Sequence, residues 1–317
     1  METLFYIYSS TIIGFISILA VTYMKILIAV SSKKYSKPTL SVGMNVARAF
    51  NASTTIVDVG KRINEFSMKD VMMAQERVEN WNIDRPGVDV LEWAFGYLAK
   101  NNFIEKNDIE AGFPKNTLVD TGNNRCEVYL KGTVCDNVSL ILRNGNVIDE
   151  LKDEVQKFIY DVTIIGGSRR RNMAHDLIQY IDSSIFVVNN FDLKKKYKIL
   201  IAVNRSPNTK KAIKYGVRIA QAFGVPIQAI TIGQANDIDE VDNKVVSWLN
   251  KLLRRVNVSF DHKYLVGDPA SIINKEAGDN HIIVMGSSTK NPILKFFAGS
   301  KPLEVMKNSN CPILIVK

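Results

Sequence analysis

Cysteine and histidine are scarce in this chain, with three of each in 317 residues. Cys126, Cys135 and Cys311 are scattered, with neither metal-ligand spacing nor a disulfide framework, so a reducing compartment is the default. His175, His262 and His281 do not cluster with them, which argues against a zinc or other transition-metal site. The sequence also lacks a Walker Gly-Lys-Ser/Thr, a paired-carboxylate motif and a Ser-His-Asp arrangement in a matching context, so no catalytic residue is singled out. It has no helix-turn-helix, zinc-finger or RNA-recognition signature, and nucleic acid is not an expected partner.

One long uncharged run is present, Leu4 to Tyr23. Its length matches a hydrocarbon core of about 30 Å. A cleaved signal peptide fits it badly, since there is no basic segment before it and no small-x-small site before Met24. Lys25, Lys33, Lys34 and Lys37 all follow it, and the positive-inside rule then places the rest in the cytoplasm. The reading is a transmembrane anchor over residues 4–23; residues 1–23 as an extension foreign to a soluble domain starting at Met24 is the alternative. The net charge of +9 is uneven: residues 198–317 hold 17 Lys+Arg against 9 Asp+Glu. A basic C-terminal half suits an anionic ligand, or is a solvated lysine surface.

The chain repeats itself. Lys25-Ile-Leu-Ile-Ala-Val30 recurs as Lys198-Ile-Leu-Ile-Ala-Val203, a shift of 173 that holds through Gly43/Gly216, Ala47/Ala220 and Gly60/Gly233. Val162–Gly166 pairs with Ile282–Gly286 at a shift of 120, and Ser184–Val188 with Pro312–Val316 at 128. The first copy therefore has 53 extra residues between its second and fourth strands, placed at about 66–125. The second has eight extra residues before its last strand.

Periodicity predicts alternating strands and helices in each copy. In the second, strands fall at Ile199–Val203, Ile227–Ile232, His262–Val266, Ile282–Met285 and Ile313–Val316. Helices fall at Lys210–Phe223, Glu240–Val256, Ala270–Ala277 and Lys301–Asn308. Continuous apolar strands between helices imply a parallel sheet covered on both faces. Within the insertion, Val88–Lys100 reads as a helix, and Cys126–Lys131 and Val138–Arg143 as two strands around a polar turn. Trp81, Trp93 and Trp248 lie on helical segments and read as core.

The second copy contains Gly286-Ser-Ser-Thr289-Lys290, nine residues between Thr289 and Gly299, then Gly299-Ser300. This resembles the phosphate-binding loop of the universal stress protein family, Gly-x2-Gly-x9-Gly-(Ser/Thr), with Thr289 where a glycine is expected. Gly267-Asp-Pro269 and the ending Lys301–Val316 also match, and the resemblance covers residues 198–317. It implies two tandem α/β domains with parallel five-stranded sheets, Rossmann-like and adenine nucleotide alpha hydrolase-like, divided as residues 24–193 and 194–317. It also implies an adenine nucleotide ligand, ATP with Mg2+, and a regulatory role in the stress response rather than an enzymatic one. Weak ATP hydrolysis stays open.

By the resemblance, Val203 and Asn204 would meet the adenosine, Gly267 would line the cleft, and Gly286, Ser287, Thr289, Gly299 and Ser300 would hold the phosphates. Asn204 stands where the family usually has aspartate. Glycines let backbone amides approach an anion, and Gly299-Ser300 opens a helix whose dipole favours one. Lys290, Lys295 and Lys301 could steer phosphates, and Glu304 reads as solvated. The first copy, with Ser31 in place of Asn204 and without the body of the loop, reads as degenerate; Arg169, Arg170 and Arg171 form a basic turn there. Family members pair through their last strands, so the copies should form an intramolecular pseudo-dimer, with a homodimer as a further option. A scaffold that binds protein partners without nucleotide is the alternative function.

Overall fold

The computed structural model describes residues 24–60, 87–113, 118–122, 125–134, 137–167, 171–204, 208–233, 240–256, 258–287 and 301–317. The expected anchor over residues 4–23 lies outside them, as do Cys135, Trp81, Arg169 and Arg170. Among the described residues, no helix is long and apolar enough to cross a membrane.

The strands are β1 (Lys25–Val30), β2 (Ser53–Gly60), β3 (Val119–Asp120), β4 (Arg125–Lys131), β5 (Asn137–Asn144), β6 (Val162–Gly166), β7 (Ser184–Val188), β8 (Lys198–Val203), β9 (Ile227–Gly233), β10 (Phe260–Val266), β11 (His281–Gly286) and β12 (Ile313–Val316). The helices are α1 (Lys33–Phe50), α2 (Val88–Lys100), α3 (Lys106–Ala111), α4 (Val147–Phe158), α5 (Arg171–Tyr180), α6 (Thr209–Phe223), α7 (Glu240–Val256), α8 (Pro269–Ala277) and α9 (Lys301–Asn308).

The strands form one sheet in the order β10-β9-β8-β11-β12-β7-β6-β1-β2-β5-β4-β3. From β10 to β12 every pair is parallel, and so is every pair from β7 to β5. Each group has the same order, third-second-first-fourth-fifth. The groups join where β12 runs antiparallel to β7, with Leu314 opposite Phe186 and Ile313 opposite Val187. The two five-stranded sheets expected from the sequence are thus continuous.

One strand belongs elsewhere than the sequence suggested. Val138–Arg143 was expected within the insertion, but β5 pairs in parallel with β2 and is the third strand of its group. It is buried at every position but its first, which an apolar run of this kind requires when both faces are covered. Only β4 and β3 extend the sheet beyond it, both antiparallel.

Alternating strand residues feed two cores. Ile26, Ile28, Ile199, Ile201, Phe186 and Leu314 face α1, α2, α6 and α7. Leu27, Leu200, Ile185, Ile283, Ile313 and Ile315 face α4, α5, α8 and α9. Each core crosses the β7–β12 seam. On the first face α1 packs against α6, with Phe50 edge-on to Tyr215 at 5.2 Å. The 173-residue shift is also a packing rule. A Cβ on Gly43 would lie 2.6 Å from Ile28 Cδ1, and one on Gly216 would lie 2.8 Å from Ile201 Cδ1. Each glycine lets the first helix of its group rest on the first strand.

The chain's last residue ties the groups together. Lys317 Nζ donates to Ile178 O at 2.6 Å and to Ile181 O, placing a cation at the carboxyl end of α5, where the helix dipole favours it. Lys211 Nζ on α6 donates to Lys317 O at 2.7 Å.

The strand β4 is held by buried charge. Arg125 donates to Glu154 Oε2 at 3.1 Å, and Arg143 of β5 reaches the same oxygen at 2.7 Å. Arg143 also bonds Glu150 at 2.7 Å, and Tyr160 donates its hydroxyl to Glu154 at 3.1 Å. Glu154 is fully buried. Removing one partner of a buried pair strands the others, so Glu154→Ala is expected to lose about 3–5 kcal/mol of stability in urea unfolding. A loss below about 1 kcal/mol, the range of an exposed pair, would contradict this role.

Candidate functional site

The carboxyl ends of β8 and β11 lie side by side, because Ala202 is opposite Met285. The strand order reverses here: β8 leads to β9 on one side and has β11 on the other. An open α/β sheet makes its ligand crevice at such a switch point. Of the residues expected from the sequence, Val203, Asn204, Gly286 and Ser287 lie at the ends of these two strands, and Gly267 follows β10, two strands from β8. Thr289, Gly299 and Ser300 lie outside the described residues.

Val203 is buried at the end of β8, and Asn204 follows it, exposed. Gly286 closes β11 opposite Val316. Ser287 continues that line by donating its amide to Val316 O at 2.8 Å. Gly267 ends β10 with φ +141°, a backbone that side chains rarely adopt, and its amide reaches Gly233 O at 3.4 Å. This bend turns the chain into α8, where Asp268 caps the helix by accepting from Ser271 N at 2.9 Å.

Two side-chain hydrogen bonds tie the turns at this edge. Thr209 donates its hydroxyl to Asn204 Oδ1. Asn208, the N-cap of α6, makes no side-chain cap bond. Its amide spans instead to Ser287 Oγ at 2.8 Å, joining the turn after β8 to the turn after β11. A capping residue diverted from its helix forgoes about 1 kcal/mol. Sequence reasoning passed over Asn208; its signal was an asparagine directly before a helix with no acidic residue in its first turn.

Lys301 is not free to steer an anion. Its Nζ lies 2.9 Å from Asp268 Oδ1 and 3.0 Å from Glu304 Oε2. Glu304, expected to be solvated, is half-exposed in that pair. Lys290 and Lys295 lie outside the described residues.

The matching edge of the first group is built differently. Gly167 donates to Val188 O at 2.9 Å, as Ser287 does to Val316. Asn189 then crosses it so closely that a Cβ on Gly167 would overlap the Asn189 side chain. Ser31 donates its amide to Ser36 Oγ at 2.8 Å, within the first turn of α1. The buried Asp58, near the end of β2, faces this edge opposite Val30. Burial, reinforced by the nearby Asp89 carboxylate, pushes its carboxyl up to about 7, while the Val59 amide pulls it down. The residue 173 positions later is neutral Thr231, bonded to His262 Nε2 at 3.0 Å. A carboxyl that ionises only near neutral pH, where it would repel phosphate, sets the first edge apart from the second. The sequence signal for Asp58 was a carboxylate in an otherwise apolar strand.

An open parallel sheet with its crevice beside β8 defines a doubly wound α/β protein. The family model described as Universal stress protein family matches residues 197–317, a little over a third of the chain. A universal stress protein of Methanocaldococcus jannaschii is 27% identical over 158 residues, covering 44% of this chain and 90% of that protein. The solved structure of a universal stress protein from Archaeoglobus fulgidus superimposes with a TM-score of 0.56 at 13% identity, covering 92% of this chain and 96% of the other. A functionally unknown protein from Pseudomonas aeruginosa gives 0.54 at 11% identity, covering 93% of each chain. At these identities the two structures speak for the fold alone.

Asp58 gives a pH-dependent expectation. Its ordinary value is 3.8, so between there and about 7 the folded chain holds a proton that the unfolded chain releases. The stability cost of Asp58 therefore grows as pH rises through that window and is complete above it. Asp58→Asn is expected to raise the melting temperature at pH 8, with a gain that shrinks toward pH 4. An equal gain at both values, or a loss at pH 8, would refute the buried-carboxyl account.

Proposed function

We propose that this chain is a nucleotide-responsive regulatory protein that binds ATP at the carboxyl ends of β8 and β11. One observation carries the reading. The sequence Gly286-Ser-Ser-Thr289, nine residues, Gly299-Ser300 begins where β11 ends, at the switch point, and leads into α9. A phosphate there would meet the amide run of the loop and the amino-terminal dipole of a helix.

The residues present fit such a ligand. Ser287 is held in place by Asn208, Gly267 bends the chain between β10 and α8, and among the described residues the edge carries no buried carboxylate like Asp58. Asn204 Oδ1 is engaged by Thr209, so its side chain is oriented at the adenosine end. Among the described residues, no group of three His, Cys, Asp or Glu could hold a metal ion. Mg2+ would then ride on the phosphates and water, as it commonly does. In this reading residues 24–193 and 194–317 are two copies of one domain, the first architectural, with its insertion at about 66–125. The uncharged run 4–23 anchors the chain to a membrane with both copies in the cytoplasm. Thr289, in place of a glycine, favours the second reading, a scaffold that acts through protein partners.

Isothermal titration with ATP separates the two. Gly299→Val is expected to abolish binding, because a branched side chain fills the space where backbone meets anion. Ser300→Ala should lose about 1–2 kcal/mol, the contribution of a hydrogen bond to a charged group. Thr289→Gly should bind as well as the wild type or better. Wild-type affinity in Gly299→Val, or none in both the wild type and Thr289→Gly, means that the scaffold reading holds.

A further inference from the structure

A second crevice, of about 490 Å³, lies at the opposite ends of the β8 group, away from the switch point. Both groups build it. Asn45 and Val42 of α1 form one wall, and Val225 and Pro226, between α6 and β9, form another. The segment joining β7 to β8 closes the third side. Its volume falls in the range of about 300–1,000 Å³ typical of small-ligand sites.

The lining has two characters. The body is apolar and aromatic. Phe191 stacks on Tyr197 with centroids 4.5 Å apart and planes 10° apart, and Tyr197 is fixed from behind by accepting Asp192 N at 2.9 Å. Leu193 is half-exposed at the mouth, although large apolar side chains are normally covered when a partner surface is available. The rim is basic: Lys194, Lys195 and Lys196 are consecutive. Lys195 and Lys196 line the crevice; Lys195 is bound to Asp279 at 2.6 Å and the Lys194 amide donates to Asp192 Oδ1 at 2.9 Å, whereas among the described residues Lys196 has no carboxylate partner. At the end of α6, Gly224 N and Val225 N bond Gln221 O and Ala220 O at 3.3 and 3.0 Å, so two of the last carbonyls are capped.

We propose that this crevice binds an amphipathic organic anion. Its apolar body lies against Phe191, Leu193 and Val225, and its carboxylate, phosphate or sulfonate group meets Lys196. The site is separate from the ATP crevice and does not depend on it. Because both groups supply walls, occupancy fastens α1 to the segment before β8.

Anilinonaphthalene sulfonate is the probe, titrated by fluorescence into the full chain. One saturable site per chain is expected, with its affinity falling as salt rises. Asn45→Trp fills the crevice from a side chain whose hydrogen bond, among the described residues, is to Ser41 O in its own helix, and should weaken binding by about tenfold or more. Lys196→Glu and Leu193→Asp change exposed rim residues, so folding is not at stake, and each should weaken binding by about fivefold or more. Lys131→Glu, on the distant β4, should leave it unchanged. The proposal is overturned by absence of a saturable site, by wild-type binding in both rim variants, or by displacement of the probe by ATP, which would place it in the other crevice.

Discussion

The rest of the structure depends on the antiparallel pairing of β7 with β12. Each is the last strand of a parallel group and nearly pure apolar sequence, Ser-Ile-Phe-Val-Val and Ile-Leu-Ile-Val. Alone, each would leave an unpaired hydrophobic edge, which proteins avoid. Joined, they make one sheet whose two faces carry continuous cores, with Ile185, Val187, Ile313 and Ile315 below and Phe186 and Leu314 above. The side chain of Lys317 at the end of α5 and the α1–α6 contact follow from that seam. The groups cannot move apart without exposing it.

Within this shared body the two switch points have diverged chemically. The β8 edge keeps neutral Thr231, an Asn208–Ser287 bridge and the long connection after β11. The β1 edge has buried Asp58, with Asn189 lying across Gly167, and the connection from β6 to α5 is short. The first group is instead elaborated at its outer side, where β4 is fixed by Arg125, Arg143 and Glu154. One group thus keeps the long connection between its fourth and fifth strands, and the other has shortened it and extended its sheet at the outer side.

Much of the fold was legible in the sequence because its signals are local. The helices Val88–Lys100, Glu240–Val256 and Lys301–Asn308 and the strand Ile313–Val316 have the expected bounds, since local apolar periodicity sets them. The place of β5 was not legible. A strand's partner depends on long-range pairing, and the inserted residues separate β5 from β2 in sequence. At the candidate site, glycine spacing pointed to Gly286 and Ser287, at the end of β11, and to Gly267, after β10. Asn208 and the pairing of Lys301 with Asp268 were hidden, because both are contacts between distant elements. Asp58 was overlooked because its burial, rather than its identity, makes it unusual.

The asymmetry between the two switch points is the central claim, and the adenine nucleotide content of the purified full chain tests it most directly. Quantified after denaturation with saturating ATP supplied beforehand and unbound nucleotide removed, the account predicts about one equivalent per chain, set by the single open crevice. Two equivalents would contradict the closure of the first edge, and none would contradict the ligand assigned to the second.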